Sequence, residues 1–333
     1  MKKLMLTTAL AGSLIASAAV AEIAVKGAIE VTLGSGETPS TSTKTNQGTT
    51  IGYETNLTFS GGTKLTNGME IKTNVNFEDS TATDQAIYFV MGDSSVYIGT
   101  DQNGGNLDDG HTTPVIANRI EDGNLGLVVS YNPDKASIHG SDVIGFTTKT
   151  GVGNFSIGYA PKISNAGGGD SNPAATVKSG SGMAIGYAGN LGVEGLSAIA
   201  AYTVKDIGGL DAQEITATKV GLGYTVGSVS FGANQTTIDD TNNGTAFTAG
   251  GEYKTTSASV VFAANDAISI GYQVGKLETN SGGSAVDEDV QSITIGYNLG
   301  GATVTAQWTE VENKGTVANT NGEAIELRIV QAF

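Results

Sequence analysis

Catalysis has little to work with in this chain. It carries 2 histidines, His111 and His139, and no cysteine. Neither histidine lies in an H-E-x-x-H zinc motif, and no G-x-S-x-G elbow or phosphate-binding loop occurs. A lipase-like site would have to combine His139 with Ser137 or Ser141, and nothing else in the spacing supports one. Without cysteine there is neither a thiolate metal site nor a disulfide framework. An enzyme is not expected.

Fixed charge is the chemistry the residues do offer. The chain has 33 acidic and 17 basic residues, a formal net charge of −16. That balance excludes a nucleic-acid binder, which would show basic patches. It would favour cations in any pore the chain formed. Asp101, Asp108 and Asp109 lie in a segment, 101–113, where Gly104, Gly105 and Gly110 let the backbone turn tightly. Asp239-Asp240 and Asp287-Glu288-Asp289 supply oxygen ligands of the kind Ca²⁺ takes, but without EF-hand spacing. The simpler reading is a solvated acidic loop that draws cations to a mouth at low salt. No other cofactor is expected. The basic residues of interest are Lys26, Lys72, Arg119 and Arg328, with Lys149 near the end of its segment.

The elements that must position these charges read as strands. In 22–33, Ile23, Val25, Gly27, Ile29, Val31 and Leu33 fall on one face; Ala24, Lys26, Ala28, Glu30 and Thr32 fall on the other. In 51–60, Ile51, Tyr53, Thr55, Leu57 and Phe59 oppose Gly52, Glu54, Asn56, Thr58 and Ser60. In 69–78, Met69, Ile71, Thr73, Val75 and Phe77 oppose Glu70, Lys72, Asn74, Asn76 and Glu78. A helix, with a period of 3.6, cannot sort residues this way. Runs of about ten residues suit a tilted strand crossing a bilayer and are about twice the length usual in soluble sheets. Lys26, Lys72 and Arg328 all occupy polar faces, and Arg119 shares a face with Val115 and Ala117.

Short links at Gly92-Asp93-Ser94, Gly151-Val152-Gly153 and Gly300-Gly301 alternate with long polar ones at 34–50, 101–113, 162–179 and 237–244. That asymmetry is expected of a membrane barrel. Ile51-Gly52-Tyr53 recurs as Ile157-Gly158-Tyr159, Ile185-Gly186-Tyr187, Leu222-Gly223-Tyr224, Ile270-Gly271-Tyr272 and Ile295-Gly296-Tyr297. Such tyrosines suit headgroup depth near a strand end, or else an ordinary soluble β-repeat. The start, Met1-Lys2-Lys3, an apolar stretch and Ala19-Val20-Ala21, reads as a signal peptide over 1–21, leaving a single domain over 22–333. The final segment, Glu326 to Phe333, alternates and stops on an aromatic, which suits a last strand closing on the first. The fold class is therefore all-β, a transmembrane antiparallel β-barrel.

Taken together, these residues resemble the Gram-negative general porins, especially the α-proteobacterial, Rhodobacter-like group. The carriers are the leader, Ala24-Val25-Lys26-Gly27, Phe59-Ser60-Gly61-Gly62-Thr63-Lys64-Leu65-Thr66-Asn67-Gly68, Val96-Tyr97-Ile98-Gly99 before a long loop, and Phe333. The resemblance implies sixteen strands, in the range that leaves an aqueous channel, and a third loop folded into the lumen. Direct segmentation gives about eighteen strands if Ala246–Ala264 is one long strand. The resemblance further implies a constriction in which Asp101, Asp108 and Asp109 face a basic wall of Lys26, Lys72, Arg119 and Arg328 across a transverse field. On the residues alone, 101–113 is equally an ordinary solvated loop. The basic residues are equally wall salt bridges to Glu30, Glu54 and Glu70. Thr100 stands where the family usually has Arg, which removes a positive charge at the base of the loop.

The implied function is passive diffusion of small hydrophilic solutes and ions across the outer membrane, with a mild cation preference. Implied partners are two further copies in a homotrimer, packed through Ile23, Val25, Ile29 and Val31, which on the residues alone are equally lipid-facing, together with outer-membrane lipid, lipopolysaccharide and, through Phe333, the barrel-assembly machinery. The alternatives are a substrate-specific channel for a cationic nutrient and a secreted β-rich adhesin. The single Trp308 and a lack of clustered aromatics on polar strand faces argue against a sugar channel.

Overall fold

The computed structural model describes residues 22–38, 45–79, 81–100, 142–163, 180–206, 214–240, 251–279, 286–314 and 317–333. Its strands are β1 (Glu22–Thr38), β2 (Thr45–Lys64), β3 (Glu70–Glu78), β4 (Thr81–Met91), β5 (Ser94–Thr100), β6 (Asp142–Thr150), β7 (Gly153–Ile163) and β8 (Gly180–Gly189). They continue as β9 (Leu196–Asp206), β10 (Glu214–Val226), β11 (Val229–Asp240), β12 (Gly251–Ala263), β13 (Ile268–Thr279), β14 (Glu288–Asn298), β15 (Ala302–Glu312) and β16 (Gly322–Ala332). Each pairs antiparallel with its neighbours in sequence, and β1 also pairs with β16, so the sheet closes on itself. Closure leaves no strand edge and satisfies the backbone internally, the condition for crossing hydrocarbon with strands.

Period-2 alternation decides which side each residue sees. Residues in direct register share a face, so the alternation in β1 propagates around the barrel. Large apolar residues point out and stay exposed, from Ile23 at 64% and Ile98 at 52% to Leu222 at 58%. The opposite face carries Glu30, Thr32, Ser156, Thr203, Lys219 and Thr294, all buried. An apolar belt outside and a polar wall inside is the pattern of a membrane barrel with an aqueous interior.

Two expectations about segmentation are corrected. Against the eighteen strands of direct segmentation, the described residues form the sixteen that the resemblance implies, although Gly251–Ala263 is indeed one strand. Strands also run further than the alternation suggested. The expected loop 34–50 contains the end of β1 and the start of β2, and Asp239-Asp240 belong to β11 rather than to a loop. They pair with Thr216 and Ile215 on one side and with Glu252 and Gly251 on the other. Glu288 likewise opens β14. The physical reason is common to all three: these strand ends carry polar residues on both faces, so the polar–apolar alternation fades while the hydrogen-bond ladder continues.

The tyrosine repeat divides by height. Tyr187, Tyr224 and Tyr297 sit near the short turns, whereas Tyr53, Tyr159 and Tyr272 lie further along their strands. Tyr187 also ties two turns together: its hydroxyl donates to the Val152 carbonyl at 2.7 Å and accepts from the Leu191 N–H at 3.2 Å.

The seam is closed by backbone and by a ring. Gly27 N–H donates to the Phe333 carbonyl at 3.0 Å, and Phe333 N–H returns the bond at 2.9 Å. The Phe333 ring covers Gly27, where a Cβ would come within 2.5 Å of Cζ. Higher on the same seam, a Cβ on Gly36 would meet the Glu323 carbonyl oxygen at 2.5 Å. A ring on the lipid side can swing away and a paired backbone cannot. Gly36→Val is therefore expected to destabilise the barrel more than Gly27→Val, by about 1–3 kcal/mol against a smaller loss. The temperature at which SDS-resistant migration is lost measures the order, and the reverse order would refute it.

Candidate functional site

The lumen wall is the surface on which this fold can act on a solute, so the charged residues matter by the direction they face. Lys26, Lys72 and Arg328 all lie on the inward face, as alternation predicts, on β1, on β3 beyond the intervening β2, and on β16. They do not gather at one level. Along β2, Lys26 aligns with Thr58 and Lys72 with Gly62, an offset of roughly 13 Å along the strand. Arg328 aligns with Thr32, roughly 20 Å along β1 from Lys26.

Two of the three are paired with carboxylates on the wall itself. Arg328 donates from Nε and Nη2 to the two oxygens of Glu30, which is 5% exposed. Thr32 adds a hydroxyl to the same carboxylate at 3.5 Å. Lys72 lies 3.2 Å from Glu70, both half-exposed. Glu30 faces Glu54 directly across the β1–β2 ladder, and Asn56 donates its side-chain amide to Glu54. The reading of these cations as wall salt bridges thus describes Arg328 and Lys72 as they stand. Lys26 is exposed on the inner face.

Asp101, Asp108, Asp109 and Arg119 lie outside the described residues, as do His111 and His139. The remaining acidic candidates are separated by alternation. Glu288 is fully buried (0%), while Asp287 and Asp289 are exposed. Asp287 takes the Lys276 ammonium at 2.7 Å, and Lys276 also approaches Glu278 at 3.8 Å. Lys314, in the β15–β16 turn, has its pKa pushed below the ordinary lysine value by burial, against the opposing pull of Glu288. Among the described residues no group of three or more side chains could hold a metal ion.

Inward residues that the sequence reading passed over are equally informative. Lys219 on β10 is 1% exposed, and its face follows from the outward Val220, Leu222 and Tyr224 that come after it. Tyr88 and Tyr97 also face inward, in direct register with each other and with Lys72. Their rings are 5.8 Å apart, and Tyr97 packs with Val143, Ala160 and Ala184 on the same inner face. The expected lack of clustered aromatics on the polar faces is therefore corrected. Parity within Val96-Tyr97-Ile98 was the available signal, since two outward aliphatics bracket the ring.

The distribution of charge refines what −16 means. Inward cations (Lys26, Lys64, Lys72, Lys149, Lys205, Lys219 and Arg328) interleave with inward carboxylates (Glu30, Glu54, Glu70, Glu78, Glu288 and Glu326). Much of the acidic excess lies instead toward the long-loop end of the outer wall. There Asp289 sits directly opposite Glu312, and Glu310 opposite Glu323. Glu310 accepts from Gln291 Nε2 at 2.7 Å, and Gln291 accepts from the Tyr272 hydroxyl at 3.0 Å.

Comparison with known proteins agrees with this architecture. A family profile described as Gram-negative porin matches residues 6–316. No curated protein sequence matches the chain significantly. Among solved structures, the anion-selective porin from Comamonas acidovorans superimposes with a TM-score of 0.70 at 12% identity, covering 94% of this chain and 100% of that one. OmpT of Vibrio cholerae gives 0.66 at 13% identity over 96% and 99%. A mutant of the Rh. blastica porin gives 0.60 at 16% identity over 94% and 100%.

Proposed function

Because the chain belongs to the Gram-negative porin family, we propose that its barrel passes small hydrophilic solutes and ions by passive diffusion, with a mild preference for cations. At the coarser level it is an outer-membrane channel and not an enzyme. The observation that carries the reading is the sidedness of a closed sixteen-strand barrel, apolar outside and charged inside. Sixteen strands leave an aqueous interior where eight would be filled by side chains. Asp101, Asp108 and Asp109 remain the proposed constriction acids, with Lys26, Lys72, Arg119 and Arg328 on the wall opposite. The proposed assembly is a homotrimer through the exposed outward face of β1, among lipid and lipopolysaccharide, with Phe333 as the signal to the assembly machinery.

The cation preference rests on the outer rim more than on the wall. Inward charges of both signs interleave, while the acidic excess lies toward the mouth. Charge at a mouth acts through solution and is screened, since the Debye length falls from ~30 Å at 0.01 M salt to ~3 Å at 1 M. Refolded protein in a planar bilayer is expected to show nearly ohmic steps with a cation-favouring reversal potential in dilute salt that collapses in concentrated salt. An anion-favouring potential in dilute salt would overturn the preference, and absence of conductance would overturn the channel.

A further inference from the structure

We propose that Tyr88, together with Lys72 and Glu70, forms a weak binding subsite on the lumen wall for small carboxylates that carry an aromatic or other flat apolar body. This rests on the channel reading and names a solute class for it. The other tyrosines discussed above, Tyr53, Tyr159, Tyr187, Tyr224, Tyr272 and Tyr297, are outward; Tyr88 and Tyr97 are not. Tyr97 is held flat against the wall because β6 offers a glycine beneath it. A Cβ on Gly145 would fall 2.1 Å from the Tyr97 Cζ, so the ring occupies the space a side chain would need. Fixed in this way and 3% exposed, Tyr97 is a backing rather than a contact surface. Tyr88 leans on it at an interplanar angle of 42° and remains partly exposed on the inner face.

Directly opposite Tyr88 on β3 is Lys72, one strand spacing (~4.8 Å) away. Its side chain is half-exposed, and its ammonium is held by Glu70 at 3.2 Å. An ammonium has three donors, so one carboxylate partner leaves capacity for a second. The patch therefore combines a pre-positioned ring with a tethered cation on one face. A flat apolar body can lie on the ring while its carboxylate shares the Lys72 ammonium with Glu70. Small hydrated ions gain nothing from the ring, and apolar molecules without a carboxylate gain nothing from the lysine. The selectivity is thus for solutes that have both.

Single channels of refolded protein, with benzoate, acetate or benzyl alcohol added to one side, test this by the concentration at which current fluctuations and blockade set in. Benzoate is expected to act at roughly three- to tenfold lower concentration than acetate, the range of one aromatic contact. Tyr88→Ser should abolish that advantage and Tyr88→Phe should keep it. Lys72→Gln should bring benzoate to the level of benzyl alcohol, and Glu70→Gln should improve benzoate by freeing the ammonium. SDS-resistant migration shows that a variant barrel is intact, and the Tyr88→Phe and Glu70→Gln arms stand if Tyr88→Ser does not fold. A wild-type channel that conducts but treats benzoate like acetate overturns the subsite alone. Persistence of the advantage in Tyr88→Ser does the same. A wild type that passes no current overturns the channel reading on which the subsite depends.

Discussion

Arg328→Met is expected to be among the most damaging single substitutions in the barrel. Glu30 is buried and takes both donors of the Arg328 fork, one on each oxygen, with Thr32 on Oε1. Removing the guanidinium leaves a carboxylate in a poorly solvated place with one weak hydroxyl contact. Breaking a buried pair by deleting one partner typically destabilises by about 3–5 kcal/mol. The double variant Glu30→Gln/Arg328→Met, which removes both charges, should recover most of that loss. Urea unfolding in detergent micelles, followed by tryptophan fluorescence from Trp308, would give the four values of the cycle. If Arg328→Met unfolds at the wild-type midpoint, the pair does not hold the seam between β1 and β16.

Gly145→Val should be damaging for a different reason, and in conductance as well as stability. The Tyr97 ring lies where the new side chain would go, with Cζ, Oη and Cε1 at 2.1, 2.3 and 2.4 Å from an added Cβ. That ring is buried with Val143, Ala160 and Ala184, so it has no nearby alternative place on the wall. Overpacking of this kind costs about 1–3 kcal/mol. The displaced ring would have to stand off into the lumen, so unitary conductance is expected to fall as well as stability. Gly145→Val with conductance and thermal stability both unchanged would mean that Tyr97 can move freely.

Much of the barrel was legible because period-2 alternation is a local signal that each strand carries alone. Ile23 to Leu33 and Ile51 to Ser60 announced their two faces without reference to any partner. The strand ends were not legible, because Asp239 and Asp240 are consecutive polar residues, and nothing in their type separates strand from loop. The site was legible in direction but not in level. Alternation tells that Lys26, Lys72 and Arg328 point inward; only the register between strands tells that they are spread along the wall and that Arg328 is engaged by Glu30. Tyr88 and Tyr97 were readable by the same parity rule. They went unnoticed because aromatic residues in a membrane strand invite the assumption that they face lipid. Net charge said least about the lumen, since a whole-chain sum does not say which side of the sheet a carboxylate occupies.

The pairing of Ala28 with Ala332 joins parts of the polypeptide separated by almost the entire sequence. Contacts of such span form late, because most of the chain's freedom must be surrendered before they return anything. Until they form, β1 and β16 both present open ladders, able to recruit another molecule as readily as each other. A half-built cylinder of this protein is therefore an adhesive object. Its safe maturation depends less on how stable the finished ring is than on keeping individual molecules apart until the ring has shut.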